Sequence, residues 1–556
     1  MMKSTGICLT FVAAVFLLTL AVATTTVAQG SVEQYRLDNG MQVILKPNHS
    51  SPMVASVIFV RSGSKYESTY ENGITHFLEH LLFDGTTHLT QQQLDRSITN
   101  LGGYINAFTQ KDLTAYLVLL PKQYINFGLA VQTDMLFNSI FPDSQLPKER
   151  QVVIEEMKRD ADAPGASADE FFTQVAYAGT PYSRPVLGYK AFIENIPKEA
   201  VIAYWKKYYT PSRTTTLIIG DFDPADMKSQ VKAIFGTIPA KTSTDTSAPS
   251  EIVPTSVTPL TGQRRADTVA AVTSTYVNFS IAAPKYGDPD YMPFDLLSQY
   301  LGVDEVSPLM KALKEGANPL ATDISVGLST YQEFSRLDIS ATAAEGASRD
   351  SIVNTILNVI ENLPSHTADN DALEGIKTSV LCQDIYNSEK LHYYGFMIAP
   401  RLMTVGWDFV QAYPGLLGKV TWDQCRQAAQ KWLAKPAYVV TTVRPGADST
   451  AVLYKPFGMT TEQVVKHFDS TKFPTYDLSK GYPVTFQSTD STHFDLVDNA
   501  KYHREVLKNG LTVIVKSDPD SRVFAVDIMG KNRSANEPEG KEGISDFVNR
   551  CLEKGT

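Results

Sequence analysis

Gly73-Ile74-Thr75-His76-Phe77-Leu78-Glu79-His80-Leu81-Leu82-Phe83-Asp84-Gly85 is the stretch from which this 556-residue chain is read. Its apolar residues recur at helical spacing and the run stops at a glycine, which predicts a helix over Gly73–Phe83. On that helix His76 and His80 lie one turn apart and project from one face. Two imidazoles so placed can share one zinc ion, each at about 2.0–2.1 Å. Glu79 stands on a neighbouring part of the face, where a carboxylate can take a proton from water as a general base. The order is the reverse of the commoner His-Glu-x-x-His arrangement. The competing reading is a solvated polar face. Ile74, Phe77, Leu78, Leu81 and Leu82 weigh against it, because flanks this apolar embed the helix.

A third ligand is sought downstream, since catalytic zinc sites take three protein ligands and keep one position open. Glu149 and Glu156 are seven residues apart and share one helical face, while Glu155 is rotated by about 100°. Glu156 is therefore a candidate ligand. Taken alone, the stretch from Glu149 to Lys158 reads by default as a charged surface helix.

Around these helices, strands and helices alternate in groups. Asn39-Gly40 turns a hairpin within Tyr35–Lys46, and Val54–Val60 is an apolar strand. Helix Leu89–Leu101 ends at Gly102-Gly103; strands follow at Tyr104–Phe108 and Ala115–Leu120, then helices at Tyr124–Asn138 and Pro147–Ala161. Thr214–Gly220 closes the set as a strand. Strand pairs followed by helix pairs predict an α+β fold, an antiparallel-rich sheet packed against helices. The theme recurs between Gln263 and about Gly446, which predicts tandem homologous domains. The expected division is a zinc-binding domain at 33–240, a second domain at 263–470, a linker at 471–498 and a further domain from 499 to 556. A Ser/Thr/Pro-rich linker is also expected over Lys241–Thr258.

The last expected domain rests on an internal repeat. Asn509-Gly510-Leu511-Thr512-Val513-Ile514-Val515-Lys516 matches Asn39-Gly40-Met41-Gln42-Val43-Ile44-Leu45-Lys46 without a gap. The same register lays Gly543-Ile544-Ser545-Asp546-Phe547 over Gly73-Ile74-Thr75-His76-Phe77. A duplicated structural unit is expected, degenerate at every position that would carry chemistry and shortened at its end. On this reading the sequence is a truncated form of a longer protein.

Composition narrows the class. Apolar residues make up 43% and charged residues 20%, as in a folding globular chain of two or three domains. A net charge of -10 leaves no basic surplus to neutralise phosphates, which argues against nucleic acid. Lys3, the apolar run Ile7–Ala23 and the small residues Val27-Ala28 follow the order of a secretory signal peptide over 1–28. The alternative, an uncleaved anchor, meets a run at the short limit for spanning. A secreted or periplasmic protein without a stable membrane anchor is expected. Cys382 and Cys425 either bridge or pack as separate thiols. No cysteine cluster supports a structural zinc site.

With these residues in view, the chain resembles the pitrilysin/insulinase family of inverzincin metallopeptidases. The resemblance extends from His76–His80 to Gly102-Gly103-Tyr104-Ile105-Asn106-Ala107-Phe108-Thr109, to the Glu149–Glu156 spacing, and to Pro185-Val186-Leu187-Gly188, Tyr209-Thr210-Pro211 and Gly220-Asp221-Phe222. It implies His76, His80 and Glu156 as ligands of one zinc per chain and Glu79 as base. It implies Glu149 as an acid supporting the site, and Asn106 and Ala107 as partners of substrate backbone. It also implies an endopeptidase acting on peptides or small unstructured polypeptides. Family members draw an Arg/Tyr pair from a second half onto the scissile carbonyl; that half is almost wholly absent here, so a separate peptidase-like half or subunit is an expected partner. A non-catalytic peptide-binding subunit is the alternative function.

Overall fold

The computed structural model describes residues 32–240, 257, 259–302, 307–367, 369–446, 460–489, 502–517, 521, 523–530 and 536–552. The expected signal peptide and nearly all of the 241–258 linker lie outside the described residues. β-Branched, alternating runs form six strands in the first domain: β1 (Glu33–Arg36), β2 (Gln42–Pro47), β3 (Met53–Val60), β4 (Tyr104–Thr109), β5 (Thr114–Pro121) and β6 (Thr214–Gly220). They pair in the order β1-β2-β6-β3-β5-β4. Only β2 and β6 run parallel. β6 and all of β3 after Met53 are buried, as central strands covered on both faces must be. β4 is an edge and leaves one side of its backbone unpaired within the sheet.

One face of this sheet carries the main core. Phe77, Leu81, Leu129, Val153, Val201 and Phe235 meet there from the helices Ile74–Leu81, Ile125–Phe137, Leu146–Ala161, Lys198–Tyr208 and Pro224–Phe235. The other face is covered by a helix from far along the chain, Leu391–Val405. Its Leu391, Tyr394, Ile398 and Leu402 join Ala55, Val57, Leu117 and Leu217 in a second apolar cluster. Gly395 allows the close approach, since a Cβ there would fall 2.6 Å from Val57 Cγ2.

The second domain repeats the first. Strands β7 (Gln263–Ala270), β8 (Tyr276–Ala283), β9 (Ala321–Thr330), β10 (Ser335–Ala343) and β11 (Tyr438–Pro445) pair in the order β7-β11-β8-β10-β9. The order and the single parallel pair, β7 with β11, reproduce β2-β6-β3-β5-β4. The expected tandem α+β architecture is therefore present. The two domains also exchange helices. Helix Ala166–Ala176, from the first domain's stretch of chain, packs Ala168 with Ala270 and Val443 of the second sheet.

Two segments pack where their sequence position did not indicate. Helix Thr461–Ser470 falls within the expected 263–470 domain, yet its Val464 and Phe468 enter the first-domain core. The expected 471–498 linker, described to residue 489, runs extended along that core through Phe473, Tyr476, Leu478, Tyr482 and Phe486. Asn138 holds it by two bonds: its Nδ2 donates to Tyr482 O at 3.0 Å and its Oδ1 accepts from Tyr482 N at 2.6 Å. The segment's aromatic side chains are partly buried against that core. Cys382 and Cys425 are free thiols, one exposed and one buried. Among the described residues, no helix is long and apolar enough to cross a membrane.

The repeat is visible in local geometry. β12 (Tyr502–Val506) pairs with β13 (Thr512–Lys516) in the register of β1 with β2, His503 facing Val515 as Glu33 faces Leu45. Gly510 at φ +87° and Gly40 at φ +93° turn the two hairpins.

The helix Ile74–Leu81 begins in an unusual way. No side chain at its N-cap residue Gly73 can accept a hydrogen bond. Buried Glu67 takes that role from six residues upstream, accepting from Gly73 N at 2.9 Å, Thr75 N at 3.0 Å and Asn72 Nδ2 at 2.9 Å. Burial pushes the Glu67 carboxyl up to about 7, against the pull of those N–H groups and Arg184. Within residues 521–556, Glu537 caps helix Ile544–Leu552 in the same way, through Gly543 N at 2.8 Å and Ser545 N at 3.0 Å. Gly73 sits at φ +94°, and a Cβ on it would lie 2.7 Å from Leu187 O and 2.8 Å from Gly188 Cα. Gly73→Ala is expected to cost about 1–3 kcal/mol from backbone strain and more from the clash. Chemical denaturation checks this; an unchanged midpoint would contradict a constrained helix entry.

Candidate metal centre

The helix Ile74–Leu81 lies against helix Leu146–Ala161, and the facing residues are His76, His80 and Glu156. His76 Nε2 is 3.7 Å from Glu156 Oε2, and His80 Nε2 is 3.6 Å from the same oxygen. One ligand atom from each residue falls within 4.8 Å of the others. The spacing that suggested two histidines on one face thus also brings the candidate third ligand to them. Glu155 turns away, its carboxylate 2.7 Å from Lys158 at the surface.

Electrostatics differ between the two imidazoles. Burial, and then the neighbouring His80, push His76 down to about 3, so it keeps a neutral ring with a free lone pair. Burial also opposes charge on His80, but the hydrogen bond to Glu149 and the carboxylates of Glu79, Glu149 and Glu156 outweigh it and raise its pKa. Glu149 Oε2 lies 3.2 Å from His80 Nδ1. That contact turns Nε2 of His80 toward Glu156 and places Glu149 behind His80. Arg159 donates to Glu156 Oε1 at 3.1 Å, leaving Oε2 for the centre.

Glu79 is buried beside these groups. Burial pushes its carboxyl up to about 7, a hydrogen bond from Thr109 and the charge of His80 pull it down, and Glu156 adds to the rise. Thr109 Oγ1 donates directly to the Glu79 carboxylate. Sequence reasoning did not single out Thr109, although it ends the quoted strand. Its signal was parity: Thr109 shares a face of β4 with Ala107. Asn106 and Ala107 lie on the β4 edge, Asn106 exposed. The Ala107 N–H donates to Asn106 Oδ1 at 2.9 Å.

The donor set fits zinc. Two imidazole nitrogens and one carboxylate oxygen converge within 4.8 Å of one another, the donor types that a three-ligand zinc site takes. Neutral His76 and the Glu149-oriented His80 are the protonation and orientation such a ligand set requires.

A pair of α+β domains with a His-x-x-Glu-His helix over an edge strand defines a class, the peptidases with the inverted zinc motif. Residues 42–190 match the model "Insulinase (Peptidase family M16)" and residues 195–380 match "Peptidase M16 inactive domain". The chain belongs to the insulinase family, M16. A Bacillus subtilis protein described as an uncharacterized zinc protease is 32% identical over 210 residues, 38% of this chain and 51% of that protein. A probable mitochondrial-processing peptidase beta subunit of Arabidopsis thaliana is 30% identical over 268 residues, 48% of this chain and 49% of the relative. The chain spans about half the length of the curated relatives it matches. Among solved structures, a Helicobacter pylori protease aligns with TM-score 0.69 at 22% identity, over 75% of this chain and all of its own. The periplasmic protease PqqL of Escherichia coli aligns with TM-score 0.61 at 16% identity, over 88% of this chain and 55% of its own. Both likenesses concern the fold.

The two imidazoles are expected to titrate apart in metal-free protein. His76 should stay neutral through the folded range, and His80 should titrate above an ordinary imidazole. Glu149→Gln removes the contact that favours charge and should lower the His80 value. Because His76 is depressed, its own contribution to the stability of metal-free protein should fall as pH falls from about 6.5 toward about 3, while the raised Glu67 and Glu79 carboxyls contribute in the opposite sense between about 7 and about 4.5. NMR of the imidazole protons measures both rings; a His80 value unmoved by Glu149→Gln would contradict the assignment.

Proposed function

We propose that this chain is a zinc-dependent endopeptidase that hydrolyses peptides or small unstructured polypeptides. The observation that carries the reading is the convergence of His76, His80 and Glu156 beside buried Glu79 and a free sheet edge. A zinc ion held by His76, His80 and Glu156, one per chain, supplies Lewis acidity toward a carbonyl oxygen and toward water. Glu79, oriented by Thr109, takes a proton from water at the site and returns it to the leaving amine. Glu149 keeps His80 turned toward the centre.

Substrate backbone adds to β4 at Asn106 and Ala107. The Asn106 side chain gives up the Ala107 N–H as the strand arrives. A sheet edge accepts extended backbone, which favours unstructured polypeptides over folded proteins. The zinc-protease description of the Bacillus subtilis relative agrees with this chemistry. The subunit description of the Arabidopsis thaliana relative supports a second peptidase-like half or subunit as partner. The signal-peptide pattern at 1–28 supports a secreted or periplasmic location, in keeping with the periplasmic Escherichia coli neighbour. The acidic balance speaks against nucleic acid as a partner.

Glu79→Gln should retain one zinc and lower cleavage of an unstructured peptide pool by at least about 100-fold. Elemental analysis and a cleavage assay read the two effects. Cleavage equal to that of the unaltered chain would sink the assignment of the base.

A further inference from the structure

The turn between β4 and β5, residues 110–113, is gripped from two sides. On the first-domain side, Ser64 N donates to Gln110 O at 3.2 Å and Lys65 N donates to Lys111 O at 3.0 Å. Gly63 makes this contact close, since a Cβ there would lie 2.5 Å from both Gln110 O and Lys111 O. Lys111 Nζ reaches back to Tyr182 O and Arg184 O, each at 2.7 Å.

On the other side stands the second domain's turn between β9 and β10, Tyr331–Phe334. Its Tyr331 and Phe334 rings lie 4.6 and 5.0 Å from the Tyr182 ring. Gln332 N donates to Asp112 Oδ2 at 3.2 Å. Between the turns lies Lys65, with no exposed surface. Its Nζ is 2.6 Å from Asp112 Oδ1, 2.6 Å from Gln332 Oε1 and 3.5 Å from Glu333 Oε1. A buried ammonium is tolerated only where charge and hydrogen bonds compensate its lost hydration, so these partners hold it tightly.

This cluster touches the reacting groups along two short paths. Thr109, which directly precedes the gripped turn, donates to Glu79. Its hydroxyl is 3.3 Å from that of Thr114, which donates to Ser62 O at 2.9 Å. Residues 64–66 run directly into Glu67, the cap of the helix that carries His76, Glu79 and His80.

We propose that Lys65, Asp112 and Gln332 are positioning residues through which the second domain sets the place of the catalytic base. The β9–β10 turn fixes the β4–β5 turn, and Thr109 passes that position to the Glu79 carboxylate. The role rests on the reading of Glu79 as base. It gives the domain that matches an inactive peptidase model a part in the geometry of the reaction.

The test uses the full chain in four variants, Gln332→Ala, Thr109→Val, Thr109→Ser and Glu79→Gln. In metal-free protein, Gln332→Ala should raise amide exchange over residues 109–113 roughly tenfold and leave β3 and β6 unchanged. In zinc-loaded protein, Thr109→Val should lower kcat about tenfold or more at unchanged KM and zinc content, and Thr109→Ser should restore it to within about threefold. Unchanged exchange in Gln332→Ala would overturn the clamp. A wild-type kcat in Thr109→Val, with Glu79→Gln inactive, would overturn the path through Thr109. Cleavage independent of Glu79 would instead remove the base reading, and the exchange measurement would still decide the clamp.

Discussion

The Glu67 carboxylate, buried beneath the first turn of the helix Ile74–Leu81, takes two backbone N–H groups and the Asn72 amide at once. A helix start buried without such an acceptor would leave costly unpaired donors. Glu67 meets that need and also fixes the direction in which the helix leaves the sheet. The contact of Gly73 with Gly188 fixes its depth. With direction and depth set, His76 and His80 can face only one side, where helix Leu146–Ala161 brings Glu149 and Glu156. The recurrence of the cap at Glu537, where the chemical side chains are Asp546, Asn549 and Arg550, shows that the cap serves the helix rather than the chemistry.

The two domains share their cores. Helix Leu391–Val405 covers the outer face of the first sheet, and helix Ala166–Ala176 packs on the second. Helix Thr461–Ser470 and the extended segment after it return to the first core. Each exchange buries apolar surface that a domain closed on itself would leave in water. The polar cluster at Lys65 lies where the domains meet, so the edge strand β4 answers to both.

Much of this was legible in the sequence, and for local reasons. Strand and helix periods located the strands of the first sheet, because burial writes itself into spacing, but the parallel pair β7 and β11 of the second sheet was not read. The His76, Glu79 and His80 face followed from helical geometry alone. Glu156 needed the family resemblance, since a charged helix looks the same in solvent. Thr109 and Lys65 escaped because their partners are distant in sequence: Glu79 lies thirty residues before Thr109, and Gln332 lies beyond the first domain altogether. The burial of Val464 and Phe468 and the packing of the 471–489 segment against the first core escaped for the same reason. Periodicity tells that a face is apolar and not what will cover it. Glu67 was within reach, because the repeat pairs it with Glu537, but a lone glutamate six residues before a helix N-cap carries no local signal.

The central claim is that His76, His80 and Glu156 hold a zinc ion beside Glu79. Anomalous X-ray diffraction recorded on either side of the zinc absorption edge, from crystals of the full chain grown with zinc, tests it most directly. The account predicts one dominant zinc peak per chain, bounded by Nε2 of His76, Nε2 of His80 and a Glu156 oxygen, with Glu149 outside the ligand set. A dominant peak elsewhere, or none between these residues, would contradict it.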